Sequence, residues 1–77
     1  MKIDEVVSMC NSHDKGIRLV GSQLLCVKLD EKYKKKHDYS SLKRFVYMNI
    51  HFSDSRLYVR KHIQNTHLQK LKKKKNG

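Results

Sequence analysis

The twenty residues from Arg44 to Ile63, RFVYMNIHFSDSRLYVRKHI, constrain the fold more than any other stretch of the chain. Val46, Met48, Ile50 and Phe52 alternate with Phe45, Tyr47, Asn49 and His51, which is the period-two pattern of a half-buried β-strand. Ser53 and Asp54 then offer side-chain oxygens to the free N–H groups of a helix start, and Asp54 places a negative charge where the helix dipole favours one. Further on, Tyr58, Val59, His62 and Ile63 share one side of a helical wheel, while Arg56, Arg60, Lys61 and Gln64 lie on the other. The stretch therefore predicts a strand that turns into a helix with one packing face and one basic face.

Upstream, Ile3, Val6, Val7, Met9 and Cys10 fall in one arc of a helical wheel, opposite Asp4, Glu5, Ser8 and Asn11. They predict a short amphipathic helix that needs tertiary packing to be stable. Residues 11–15 are polar and break the pattern, and Gly16 permits a change of direction. Residues 17–20 and 23–29 read as two short strands, with Leu25, Val27 and Leu29 on one face of the second. Gly21 and Ser22 between them read as a hairpin turn, because glycine supplies the positive φ that two-residue hairpin turns require. Asp30 to Lys43, DEKYKKKHDYSSLK, breaks every apolar period and reads as a long basic connection between strands.

The predicted fold class is α+β, in the order α-β-β-β-α. Its expected form is a small three-stranded antiparallel sheet with two helices packed on one face and the basic loop between the second and third strands. One domain is expected over residues 1–71, followed by a basic tail over 72–77. A chain of 77 residues buries only about 60% of its unfolded surface, so one small core is all it can build.

Charge narrows the function. The chain carries a formal +11, and residues 1–31, with four Lys/Arg and five Asp/Glu, sum to −1, which leaves +12 for residues 32–77. A charge that large on so short a chain points to a polyanion, nucleic acid first and acidic membrane second. The groups expected to meet phosphate are Lys32, Lys34, Lys35 and Lys36 in the basic loop, then Lys43 and Arg44, the helix face of Arg56, Arg60 and Lys61, and the closing run Lys72, Lys73, Lys74 and Lys75. Three separate basic elements neutralise several phosphates at once, and phosphate neutralisation supplies most sequence-independent affinity. Tyr33 and Tyr39 stand among these lysines, where they either stack on unpaired bases or anchor the loop. Phe45 and Tyr47, on the strand, are assigned mainly to structure.

Other chemistry finds less support. Cys10 and His13 form a C-x-x-H pair, but Cys26 and His37 are too far apart to make a tight second pair, and Cys10 fits the apolar helix face as a small hydrophobe. No metal and no cofactor are expected. The sequence shows no glycine-rich phosphate loop, nucleophile elbow or paired-carboxylate motif, so neither catalysis nor a small-molecule substrate is expected. No signal-peptide pattern or apolar run of membrane-span length is present, and with two sparse cysteines the reading is an intracellular chain with reduced thiols.

Four stretches carry a resemblance. Lys2-Ile3-Asp4-Glu5-Val6, Lys15-Gly16-Ile17-Arg18-Leu19, Arg44-Phe45-Val46-Tyr47 and the ending from Leu68 to Lys75 resemble segments of the eukaryotic large-subunit ribosomal protein thirty-eight family. The resemblance implies an α+β, non-catalytic, structural constituent of the large ribosomal subunit in the cytoplasm, binding ribosomal RNA beside neighbouring ribosomal proteins. The element order also resembles that of the small Alu-domain proteins of the signal recognition particle, with Leu25-Cys26-Val27-Lys28 similar to the second strand of one of them. A basic protein-interaction module, directed at an acidic protein or membrane surface, is the third possibility.

Overall fold

The computed structural model describes the backbone of residues 1–35 and 38–76, and the side chains of 1–32 and 38–69. Over these residues the chain is helical, with α1 at Ile3–Cys10, α2 at Lys15–Lys35, α3 at Tyr39–Asn49 and α4 at Ser53–Asn76. No strand occurs among the described residues, so the expected α+β class and its three-stranded sheet are corrected to an all-helical fold.

The outer two predicted helices stand where the sequence placed them. In α1, Asp4 and Glu5 occupy the first turn, where they favour the dipole, and Val6 and Cys10 are buried. In α4, which starts at Ser53, Val59 and Ile63 are buried and His62 is half-buried, whereas Tyr58, expected on the same packing face, is 40% exposed.

The three expected strands are helix instead, for identifiable reasons. Residues 17–20 and 23–29 lie in one helix of 21 residues, α2. A short continuous apolar run fits a buried strand and a buried helix equally well. Gly21, taken for a hairpin residue, has no positive φ. It is the point where α1 crosses α2: a Cβ there would stand 2.6 Å from the Met9 Cβ and 2.8 Å from the Cys10 nitrogen. Ser22 beside it is buried and donates from Oγ to the Arg18 carbonyl 2.8 Å away, so its hydroxyl is satisfied within the helix.

The segment read as a third strand is mostly α3. Val46 and Ile50 are both fully buried, and their spacing of four places them on one face of a helix as well as of a strand. Met48 discriminates between the two, since a strand would bury it with them and it is 70% exposed. The expected loop over 30–43 is corrected too. Asp30 to Lys35 complete α2, residues 36 and 37 lie outside the described residues, and Asp38 caps α3 by accepting from the Ser41 N–H at 2.8 Å. Asp14 caps α2 in the same way, its Oδ1 accepting from the Ile17 N–H at 3.0 Å.

In space α1 packs on α2, α2 on α4, and α3 on α4 with a small contact to α2. The core takes Val6 and Cys10 from α1, Leu25, Cys26 and Leu29 from α2, Leu42, Val46 and Ile50 from α3 and its end, and Val59 and Ile63 from α4. Polar clips fasten the ends. The Asn11 amide donates to the Asn49 carbonyl at 2.8 Å and accepts from the His51 N–H at 2.9 Å, joining the end of α1 to the end of α3. Ser55 Oγ donates to the Cys10 carbonyl at 3.0 Å, joining α4 to α1. Helix α4 continues without a break across residue 71 to Asn76.

Candidate nucleic-acid interface

Helix α3 carries no acidic residue. Its buried side, Leu42 and Val46, faces the core, which turns Arg44, Tyr47 and Met48 outward. Arg44 and Tyr47 are three residues apart and so are neighbours on the helix surface. Tyr47 is 44% exposed, and two arginines of α4 stand by its ring: the Arg56 guanidinium carbon is 5.4 Å from its centroid and that of Arg60 is 5.1 Å away. On the opposite flank, the Lys32 ammonium of α2 stands 5.9 Å from the Phe45 ring, beside a groove of about 350 Å³ that Arg44 and Met48 also line. At the N-terminal end, the Lys43 ammonium is 5.1 Å from the Tyr39 ring, and Tyr39 stacks on His67 at 4.4 Å.

Arg56 has a second task. It donates from Nη2 to the Tyr47 carbonyl at 3.1 Å and from Nε to the Ile50 carbonyl, so it caps the C-terminal end of α3. Those carbonyls have no partner within the helix and need an outside donor. Arg44 and Arg60 are exposed.

Five of the expected phosphate-binding residues, Lys32, Lys43, Arg44, Arg56 and Arg60, are thus gathered around one helix. Lys61 is not among them: it is exposed, two residues from both Val59 and Ile63, and hence about 200° round α4 from its buried side. Lys34 and Lys35 lie on the α2 backbone and Lys72, Lys73, Lys74 and Lys75 on the α4 backbone, with side chains outside the described residues. Lys36, Tyr33 as a side chain, and His37 of the drawn zinc set also lie outside them.

Tyr47 is the residue that sequence reasoning left out of the site. The strand pattern assigned it to structure, whereas a helical wheel over 39–49 places it beside Lys43 and Arg44. Tyr39, expected among the loop lysines, is half-buried against His67.

Arg18 and Asp54 pair at 3.0 Å and, with the exposed Lys15, line a groove of about 420 Å³ between α2 and the start of α4. Asp30 and His62 pair at 2.9 Å across α2 and α4. Both cysteines are buried and free; burial pushes the Cys10 thiol up and, with help from the nearby Asp30 charge, pushes Cys26 up to about 12. Among the described residues, no group of three His, Cys, Asp or Glu side chains is placed to hold a metal ion, and no helix is long and apolar enough to cross a membrane. Compared with protein-family models, curated proteins and solved structures, the chain matches none.

Proposed function

We propose that this chain binds RNA across the outer face of α3, with Arg44, Arg60, Lys32 and Lys43 meeting phosphates and Tyr47 offering a ring face to an unpaired base. The observation that carries this reading is the exposed Tyr47 with Arg56 and Arg60 beside its ring, on an acid-free helix with Arg44 on the preceding turn. Cations that track a backbone beside an aromatic platform are the recurring solution for single-stranded nucleic acid. The sequence supports it further, since the only acidic residue after Asp38 is Asp54, and Asp54 is paired with Arg18.

The cellular setting proposed is the large ribosomal subunit in the cytoplasm, where the chain is a structural constituent bound to ribosomal RNA beside other ribosomal proteins. Small size and a net charge of +11 support that setting. The expected sheet does not, because the order of elements that linked this chain to the α+β ribosomal and signal recognition families is absent from its helical fold.

Three measurements test the proposal. Substituting Arg44 and Arg60 together with alanine should flatten the salt dependence of RNA affinity by about 0.7 per lost contact on a single strand and about 0.9 on a duplex, with helix content unchanged. An unchanged slope would place the interface elsewhere. Arg56→Ala should instead lower thermal stability, because it uncaps α3. In gradient fractionation of a native lysate, co-migration with large subunits after a moderate salt wash is expected. Migration with a lighter RNA particle would move the setting to the signal recognition particle, and migration free of RNA would overturn both.

A further inference from the structure

The groove of about 350 Å³ between α2 and α3 carries one cation on each wall, Lys32 on the α2 side and Arg44 on the α3 side, and none of the eight residues that line it is acidic. Neither cation has a carboxylate partner among the described residues. The acids nearest in sequence are placed otherwise. Asp30 is paired with His62 of α4, Asp38 accepts from the Ser41 N–H as the cap of α3, and Glu31 lies about 100° round α2 from Lys32, outside the lining. Two unneutralised charges facing one groove select an anionic occupant.

The rest of the lining narrows the choice. Phe45 is half-buried with its ring 5.9 Å from the Lys32 ammonium, Met48 stands 70% exposed at the rim, and core leucines lie beneath. The Asn49 amide nitrogen donates to the Phe45 carbonyl at 2.9 Å, while its Oδ1 and the Ser41 hydroxyl have no partner among the described residues. Apolar walls with a few polar groups to fix orientation are the usual make-up of a ligand pocket, and this one stands at the small end of their range of about 300–1,000 Å³. A nucleotide matches all three parts, with a phosphate for the cations, a flat ring for Phe45 and Met48, and a polar edge for Ser41 and Asn49. A fatty acid would leave the last two unmatched.

We infer that this groove seats one unpaired base of a bound RNA strand, with Arg44 holding the phosphate between that base and the one on Tyr47. The inference rests on the RNA reading and narrows it to strands with unpaired bases. Position on α3 supports the pairing of the two sites, because Arg44 lies about 60° from Tyr47 on one side and about 40° from Met48 on the other. Tyr47 and Phe45 are about 160° apart, so on a helix 10–12 Å across the two sites are separated by about 10 Å. That is about three times the rise of a stacked strand, about 3.4 Å per nucleotide, and neighbouring bases reach both sites only when splayed apart.

Fluorescence anisotropy of the full chain should show a labelled strand of about eight uridines binding at least about tenfold more tightly than an equally long strand of abasic units at the same salt, since each seated base contributes about fivefold or more. Ser41→Glu puts an acid into the groove at a first-turn position where a helix favours one, so α3 stays folded, as circular dichroism should show. It should weaken the uridine strand about fivefold or more beyond Gln23→Glu, which changes the net charge equally but lies about 180° round α2 from Lys32. With 4-thiouridine in the strand, photo-cross-links should map to Phe45 or Met48 as well as to Tyr47. Cross-links at Tyr47 with none at Phe45 or Met48, or a Ser41→Glu variant no weaker than Gln23→Glu, overturn the groove and leave the RNA face standing. An abasic strand bound as tightly as the uridine strand removes both base sites. A chain that binds none of these strands overturns the RNA reading, and the groove with it.

Discussion

Arg18 carries more of the tertiary polar structure than any other described residue. Its Nη1 donates to the carbonyls of Ser12 at 3.1 Å and His13 at 3.0 Å, its Nη2 to Asp54 at 3.0 Å, and its guanidinium lies 4.4 Å over the Phe52 ring. One side chain thereby holds the α1–α2 connection, the entry to α4 and the first turn of α4. The Arg18 hydrogen bond keeps the Asp54 carboxyl below its usual range. A carboxyl whose folded value is depressed favours folding at pH above its unfolded value, near 3.8, and that contribution disappears as pH falls through the lower folded value. Asp54→Asn should therefore lower the melting temperature at neutral pH, and the gap to the parent should close in acid. Melts taken at a series of pH values check this; a gap that persists to about pH 2 would show that the pairing is not its source.

Among the elements, α1 and α4 were legible in the sequence because each separates apolar from polar residues around a wheel. Helix α2 was not, since apolar side chains on both its faces erase the contrast from which a period is read. Gly21-Ser22 then looked like a break in a hairpin, although its use is close packing: glycine lets α1 cross within contact of the α2 backbone. In helix interiors alanine is favoured over glycine by about 1 kcal/mol, so propensity alone makes Gly21→Ala stabilising. The new Cβ would collide with main-chain atoms of Met9 and Cys10, which no rotamer change relieves. Overpacking of that kind costs about 1–3 kcal/mol, and a net loss in urea unfolding is expected. The site was legible in part. Lys32, Lys43, Arg44, Arg56 and Arg60, all named from the sequence, come together around α3, but the stretch 39–49, read as loop and strand, hid the helical juxtaposition of Arg44 with Tyr47 and, across α4, of Tyr47 with Arg60.

At the scale of the whole molecule, charge is separated along with structure. The near-neutral residues 1–31 supply α1 and most of α2, while α3 and α4 belong to the half that sums to +12. Self-repulsion within that half opposes the Arg18–Asp54 attraction, and the two respond oppositely to salt. Between about 0.01 M and 0.15 M ionic strength the screening length falls from about 30 Å to about 8 Å, which removes long-range repulsion while leaving pairs in contact mostly intact. The melting temperature should therefore rise over that range, and a fall would mean that the Arg18–Asp54 pair outweighs the repulsion.

The 24-residue α4 stretches the molecule to 44 Å along its longest axis, against 21 and 19 Å across. A duplex polyanion with about one charge per 1.7 Å presents about 26 charges over that length, more than the 18 Lys/Arg of the whole chain. A copy lying lengthwise thus lowers the polymer's charge without reversing it.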